Sequence, residues 1–286
     1  MPTITHVEIA QKRSVFTILK DIPQGPYFED RKHNTILFNE NCFDIFPEIP
    51  ENSIDMIFAD PPYFLSNGGF TCHAGRKVSV NKGKWDVSKG KEETYLFTLR
   101  WLRECQRILT PNGTIWVSGT SHIIYAVGYA MQDLGYKILN DIAWFKVNPP
   151  PNLSCRYFTH STETILWAAK NKDSKHYFNY ELMKKHNNNK QMLSLWPIKA
   201  PGSEEKKYGK HPTQKPLELL NRIMLASTRR GGIVLDPFSG SATTGIAASK
   251  EGRQYIGIEL EKSYLDVSIK RLKDIFRYKE KLNGNS

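Results

Sequence analysis

Cysteine is scarce: the chain holds four, Cys42, Cys72, Cys105 and Cys155, and no two stand at C-x-x-C spacing. That excludes a disulfide-stapled scaffold and the common zinc and redox pairs, and it predicts reduced thiols in a cytoplasmic protein. Long apolar runs are missing too. No stretch approaches the roughly 20 residues needed to cross a bilayer, and MPTITHVEIAQKR at the N-terminus lacks a signal peptide's apolar centre. The basic C-terminal stretch SIKRLKDIFRYKEK reads as a packed last helix with a solvated face, so no membrane partner is expected. There is no internal repeat, no G-x-G-x-x-G fingerprint of a dinucleotide site, and no His/Asp/Glu cluster at ligand spacing, which leaves no expected metal site.

Acid is in short supply against base. With 40 Lys and Arg and 29 Asp and Glu, the net charge of +11 suits a polyanionic partner: DNA, RNA or an acidic surface. The 286 residues are 40% apolar, enough to bury a sizeable core in one large domain or a domain with an insertion.

Apolar runs of strand length alternate with helical spacing. Strands are predicted at 54–59, 114–118, 136–146, 164–170, 232–235 and 255–259, and helices at 93–109, 217–227, 242–250 and 263–276. Leu96, Leu99, Leu102, Cys105 and Ile108 give the first helix its stripe, and TPNG gives its stop. Such alternation predicts an α/β fold with a doubly wound, mostly parallel sheet. Two stretches break it. Residues 66–92 are rich in Gly and Lys. Residues 171–210 interleave base with Tyr177, Phe178, Tyr180, Trp196 and Tyr208, a pattern that suits nucleic-acid contact or a solvated insertion.

Two strand ends carry chemistry. The run IDMIFA ends in Asp60-Pro61-Pro62-Tyr63, and two adjacent prolines remove two backbone donors and stiffen the chain. The run GGIVL ends in Asp236, followed by Gly240, Ser241 and Gly245 at the opening of a helix. Small residues let backbone approach a ligand, and free amides at a helix start attract a negative group. The next strand ends in Glu259, placed to accept from ribose hydroxyls, so the pattern predicts a nucleoside-type cofactor site. In a doubly wound sheet both motifs reach the edge formed by the strands' carboxyl ends.

DPPY, then HPTQKP (211–216), then DPFSGSATTG (236–245) resemble, from about residue 34 to 275, the DNA amino-methyltransferases in the permuted order of their beta group. FADPPYFLSNGG, NPPPNLSCRYFTHSTETILWA and GKHPTQKP resemble the second, DpnA-type methylase of DpnII-like restriction-modification systems. The resemblance implies a Rossmann-like methyltransferase sheet with an N-terminal extension (1–33), a catalytic half (34–170), an inserted target-recognition region (171–210) and a donor-binding half (211–286). It implies transfer of a methyl group from S-adenosylmethionine to adenine N6 in GATC, with single-stranded DNA accepted. A cognate restriction endonuclease and a homodimer are the implied partners beside single- or double-stranded DNA.

By the same resemblance Asp60 and the Pro61 carbonyl accept from the adenine amine, Pro62 stiffens the cradle, and Tyr63 stacks on the base with Phe64 beside it. Asp236, Pro237, Phe238, Ser239, Gly240, Ser241, Thr243 and Thr244 belong to the loop that holds the donor's methionine part, and Glu259 holds its ribose. Thr213 and Lys215 fix its carboxylate, and Asp60 is counted in the donor site as well. Asn41, in NENC, stands where the family carries Asp toward the donor's adenine. Asn148 with Pro149–Pro151, after Trp144 and Lys146, is expected to line the base pocket. Asp86, His160 and Glu163 match family patterns without a derived role. Arg76, Lys77, Lys82, Lys84, Lys89 and Lys91 are expected near DNA phosphates. Cytosine-N4 methylation, RNA methylation and a noncatalytic DNA-binding partner of the same fold remain open from the residues alone; the resemblance implies adenine, because the cytosine-N4 group more often carries Ser where Asp60 stands.

Overall fold

The computed structural model describes residues 13–20, 22–64, 70–73, 76–79, 90–209 and 211–284. In chain order the sheet strands are β1 (Phe28–Asp30), β2 (Thr35–Phe38), β3 (Ile54–Ala59), β6 (Leu109–Gly119), β7 (Lys137–Phe145), β8 (Thr162–Ala169), β9 (Leu195–Pro197), β10 (Ile233–Asp236) and β11 (Gln254–Ile258). A separate antiparallel pair, β4 (Phe70–His73) and β5 (Arg76–Ser79), follows DPPY and carries Arg76 and Lys77. Lys82, Lys84, Asp86 and Lys89 lie outside the described residues.

Among the described residues the strands form one sheet in the order β1-β2-β11-β10-β3-β6-β8-β7-β9. β2, β11, β10, β3 and β6 are mutually parallel, so their carboxyl ends share one edge. The two central strands, β10 and β3, come from opposite ends of the chain. Side chains alternate cleanly there: Met56, Phe58 and Val234 enter one core, Ile57, Ala59, Ile233 and Leu235 the other. Both faces are buried, which is why these strands are continuous apolar runs.

Helices cover each face. On one lie α3 (Lys91–Ile108) and α4 (Ile124–Asp133), with two short helices, α1 (Val15–Ile18) and α2 (Cys42–Ile45). On the other lie α6 (Leu217–Ser227), α7 (Thr243–Lys250) and α8 (Lys262–Gly284). The stripe of α3 differs from expectation. Leu96 is exposed, and Trp101 is fully buried with Leu102, Cys105 and Ile108. α3 ends at Ile108, just before TPNG as expected, and β6 begins directly at Leu109, with TPNG bulging out of its pairing with β3.

Strict alternation also fails at β7 and β8, which adjoin as an antiparallel pair with no helix between them. β8 therefore points against β6, and this brings the end of β7 and the start of β8 to the edge shared by the carboxyl ends of β3 and β10. Residues 171–210 are not a module apart. They supply α5 (Tyr180–His186) and β9, and β9 pairs with β7. Trp196 is buried, 6.2 Å from the Trp116 ring, and its aromatic character serves the core. Phe178 and Tyr180 stay exposed.

Candidate active site

Asp60 follows the last residue of β3, Pro237 that of β10 and Glu259 that of β11. Asn41 lies just beyond β2, where its Oδ1 caps α2 by accepting from the Phe43 amide at 3.1 Å. The shared strand edge brings all four to one cavity of about 430 Å³, lined also by Pro61, Pro62, Tyr63, Phe64, Thr213, Phe238 and Gly240. The volume suits a small-molecule cofactor. Its walls are mixed: Phe64, Phe97, Phe238, Ile258 and Leu260 are apolar, and Asp60, Glu40, Glu93 and Glu259 bring carboxylates.

The DPPY turn is tied from within and from outside. Tyr63 donates to Asp60 Oδ1 at 2.6 Å, and Lys215 Nζ donates to Asp60 Oδ2 at 2.5 Å and to Tyr63 Oη at 3.2 Å. Burial, reinforced by the Asp60 and Glu163 charges, holds the Tyr63 phenol well above its ordinary range, so its proton stays available for donation. For Lys215 burial pulls the pKa down, but the charges of Asp60 and Glu163 outweigh it and hold the ammonium above the usual lysine range. Lys215, expected beside a donor carboxylate, thus has its ammonium on the DPPY acid. The ring of Tyr63 lines the cavity while its hydroxyl is used inside the motif.

Opposite DPPY, the glycine loop is held by a lattice of buried polar contacts. Asp236 Oδ1 accepts from the Phe238 amide at 3.0 Å and Oδ2 from the Thr244 hydroxyl at 2.6 Å. Burial pushes the Asp236 carboxyl up to about 7 despite these two donors. Ser239 shares a hydrogen bond with Tyr255 Oη at 2.8 Å. Gly240 has φ +51°, which favours glycine, and a Cβ there would lie 3.0 Å from His211 Nε2, so any larger residue would press on the HPTQKP histidine. Its amide donates to Glu259 Oε2 at 2.7 Å, and the other oxygen, Oε1, takes the Glu261 amide at 2.8 Å. Burial raises the Glu259 carboxyl, partly offset by these amides.

Asp236, Ser239, Ser241, Thr243, Thr244 and Lys215 line a narrow recess of about 30 Å³ next to the main cavity. Gly245 has a different task from the one expected. A Cβ there would lie 2.4 Å from Tyr255 Cε1, so its smallness lets α7 press on β11.

Sequence reasoning missed several residues. Arg271 on α8 donates to the Ser241 carbonyl, to Ser241 Oγ at 2.8 Å and to Thr243 Oγ1 at 3.1 Å, clamping the loop from behind. Its signal was a base among Leu265, Ser268 and Leu272, which share its buried helix face. Gln214 joins HPTQKP to the loop by accepting from Ser241 Oγ at 3.3 Å. Glu163, quoted without a role, pairs with Lys146 at 2.5 Å and Lys215 at 3.7 Å. Asn148–Pro151 follow β7 at the same edge and are absent from the cavity lining.

An acid-bearing, proline-stiffened turn facing a nucleoside-type pocket, on a permuted parallel sheet, defines a Rossmann-like transferase. The chain belongs to the DNA methylase family that acts at N6 or N4 amino groups, whose sequence model matches residues 54–270. It is similar to the type II methyltransferase M2.LlaDCHI of Lactococcus lactis subsp. cremoris, with 56% identity over 86% of this chain and 91% of that protein. Against the type II methyltransferase M2.DpnII of Streptococcus pneumoniae the identity is 54%, over 86% of this chain and 92% of that one. Its fold is similar to the crystal structure of the M1.HpyAVI–SAM complex, with TM-score 0.64 and 29% identity over 83% of this chain and 98% of that chain.

Proposed function

We propose that the chain methylates adenine N6 in DNA at GATC, accepts single-stranded as well as duplex DNA, and serves a restriction-modification system beside a cognate endonuclease. S-adenosylmethionine is the donor, and when bound it supplies an electrophilic methyl group on a sulfonium. The residues present fit it. Glu259 offers a carboxylate at a strand end for ribose hydroxyls, Asn41 would contact the adenine, and Phe238, Gly240 and Thr213 line the same cavity. Asp236, Pro237, Ser239, Ser241, Thr243 and Thr244 shape the loop that receives the methionine part.

The observation that carries the reading is Asp60, on the wall of that cavity and gripped by two donors. An exocyclic amine is a weak nucleophile because its lone pair is delocalised into the ring. Asp60 accepts from one amine N–H and the Pro61 carbonyl from the other, which draws the nitrogen toward a tetrahedral arrangement and frees the lone pair. Tyr63 and Lys215 fix the carboxylate beforehand, so little ordering remains for the transition state. The base must leave the helix to reach this turn, at a cost of a few kcal/mol that a single strand largely avoids. Stacking against Tyr63 or Phe64 returns about 1–3 kcal/mol.

The test is product analysis. Oligomers that differ only in one GATC are incubated as single strands and as duplexes with labelled donor, then digested to nucleosides. N6-methyladenine confined to the GATC oligomers is expected. N4-methylcytosine, or label independent of the site, overturns the reading.

A further inference from the structure

Four charged side chains from four parts of the chain meet behind the DPPY turn. Lys146, just past β7, places Nζ 2.5 Å from Glu163 Oε1 at the start of β8. Glu163 Oε2 lies 3.7 Å from Lys215 Nζ, and Lys215 Nζ lies 2.5 Å from Asp60 Oδ2. The side chains of Glu163, Lys215 and Asp60 are 11%, 6% and 12% exposed, so solvent screens them little. Charges alternate along the row. Breaking one pair in such surroundings leaves its partner buried without compensation.

The row suits the charge that moves in methyl transfer. The nitrogen lone pair forms the N–C bond, and the C–S bond breaks with its pair going to sulfur. Positive charge thereby passes from sulfur to nitrogen, and a proton then leaves the nitrogen to water. An ammonium beside Asp60 opposes that gain of positive charge. Glu163 answers it: with Glu163 the row carries two carboxylates against the ammoniums of Lys215 and Lys146, and without it one carboxylate against two. Fixed charges placed for the transition state act strongly where water is excluded.

We propose that Glu163 is a positioning residue for the transfer: it balances and holds Lys215, so that Lys215 orients Asp60 without cancelling its charge toward the amine. The proposal rests on the reading of Asp60 as the amine's acceptor. Lys146 sets the strength of the effect, because it is the opposite charge on Glu163's other oxygen. The antiparallel β7–β8 pair is what delivers both residues to the catalytic edge.

The test compares wild type, Glu163→Gln, and Glu163→Gln combined with Lys146→Met, by single-turnover methylation, donor calorimetry and NMR titration of the Lys215 ammonium without donor. Glu163→Gln is expected to slow transfer about 100-fold, to leave donor affinity within about threefold and to lower the Lys215 titration midpoint. The double variant restores the net charge of the row and is expected to transfer about tenfold faster than Glu163→Gln alone. A purely structural role predicts the opposite order, since the double variant loses more contacts. Transfer by Glu163→Gln at the wild-type rate, an unmoved Lys215 midpoint, or a double variant no faster than the single one overturns the proposal. A wild-type product other than N6-methyladenine overturns the substrate reading and leaves the order of the three rates to judge Glu163.

Discussion

Replacing Gly245 with alanine tests whether this position serves packing or ligand contact. An alanine Cβ would stand 2.4 Å from Tyr255 Cε1 and 2.6 Å from Cδ1. Carbon atoms rest at about 3.5–4.0 Å, so helix and ring must part by about 1 Å. Tyr255 is fully buried and cannot turn aside. Overpacking of this kind costs about 1–3 kcal/mol, while alanine in place of glycine gains up to about 1 kcal/mol of helix propensity. The clash outweighs the propensity, and a net loss of up to about 2 kcal/mol is expected in urea unfolding. Function follows through one bond. The Tyr255 hydroxyl holds Ser239 at 2.8 Å, so a displaced ring moves the donor loop. A loss of 1.4 kcal/mol in binding is tenfold, and donor affinity is expected to weaken by about that factor in calorimetry. Adding Tyr255→Leu, which opens space, should cost less than the sum of the two single changes. A Gly245→Ala protein more stable than wild type, with donor affinity unchanged, refutes the reasoning.

Asp236 gives a pH signature. Its folded carboxyl titrates at about 7 against an ordinary 3.8, so the folded state holds the proton more tightly. The stability this gives is fully present below about pH 4 and is lost as pH rises through about 7, by up to about 4 kcal/mol. Asp236→Asn should flatten the fall in unfolding free energy between about pH 4 and pH 7, and an unchanged slope would contradict the assignment. Arg271→Met leaves the Ser241 carbonyl without its charged donor; a loss of about 2 kcal/mol in stability and weaker donor binding are expected, checked by denaturation and calorimetry. Binding of a GATC duplex should weaken steeply with added salt, with a log–log slope of about 0.9 for each phosphate neutralised. Arg76→Ala with Lys77→Ala should lessen that slope, and a flat salt response would count against phosphate contact.

The middle of the sheet was readable from sequence because β3 and β10 are buried on both faces and their runs are apolar throughout. β1 and β9 were not, since a three-residue strand at an edge has no periodicity to read. The antiparallel β8 was hidden for a related reason: a buried strand reads the same in either direction, and only the missing helix before it gave a sign. In the site, Asp60, Gly240 and Glu259 were legible because each ends a strand or opens a tight turn. Lys215 and Glu163 were named without their connection, since an ion pair between residues distant in sequence leaves no local pattern. Trp196 was read with the exposed aromatics of its segment, but composition does not tell which face a side chain takes.

Single-turnover transfer by Asp60→Ala tests the central claim most directly, with donor binding followed by calorimetry in the same preparation. The account predicts that the donor still binds and that methyl transfer to adenine falls at least about 100-fold. Transfer at the wild-type rate would contradict it, because the carboxylate at the end of β3 would then have no part in activating the amine.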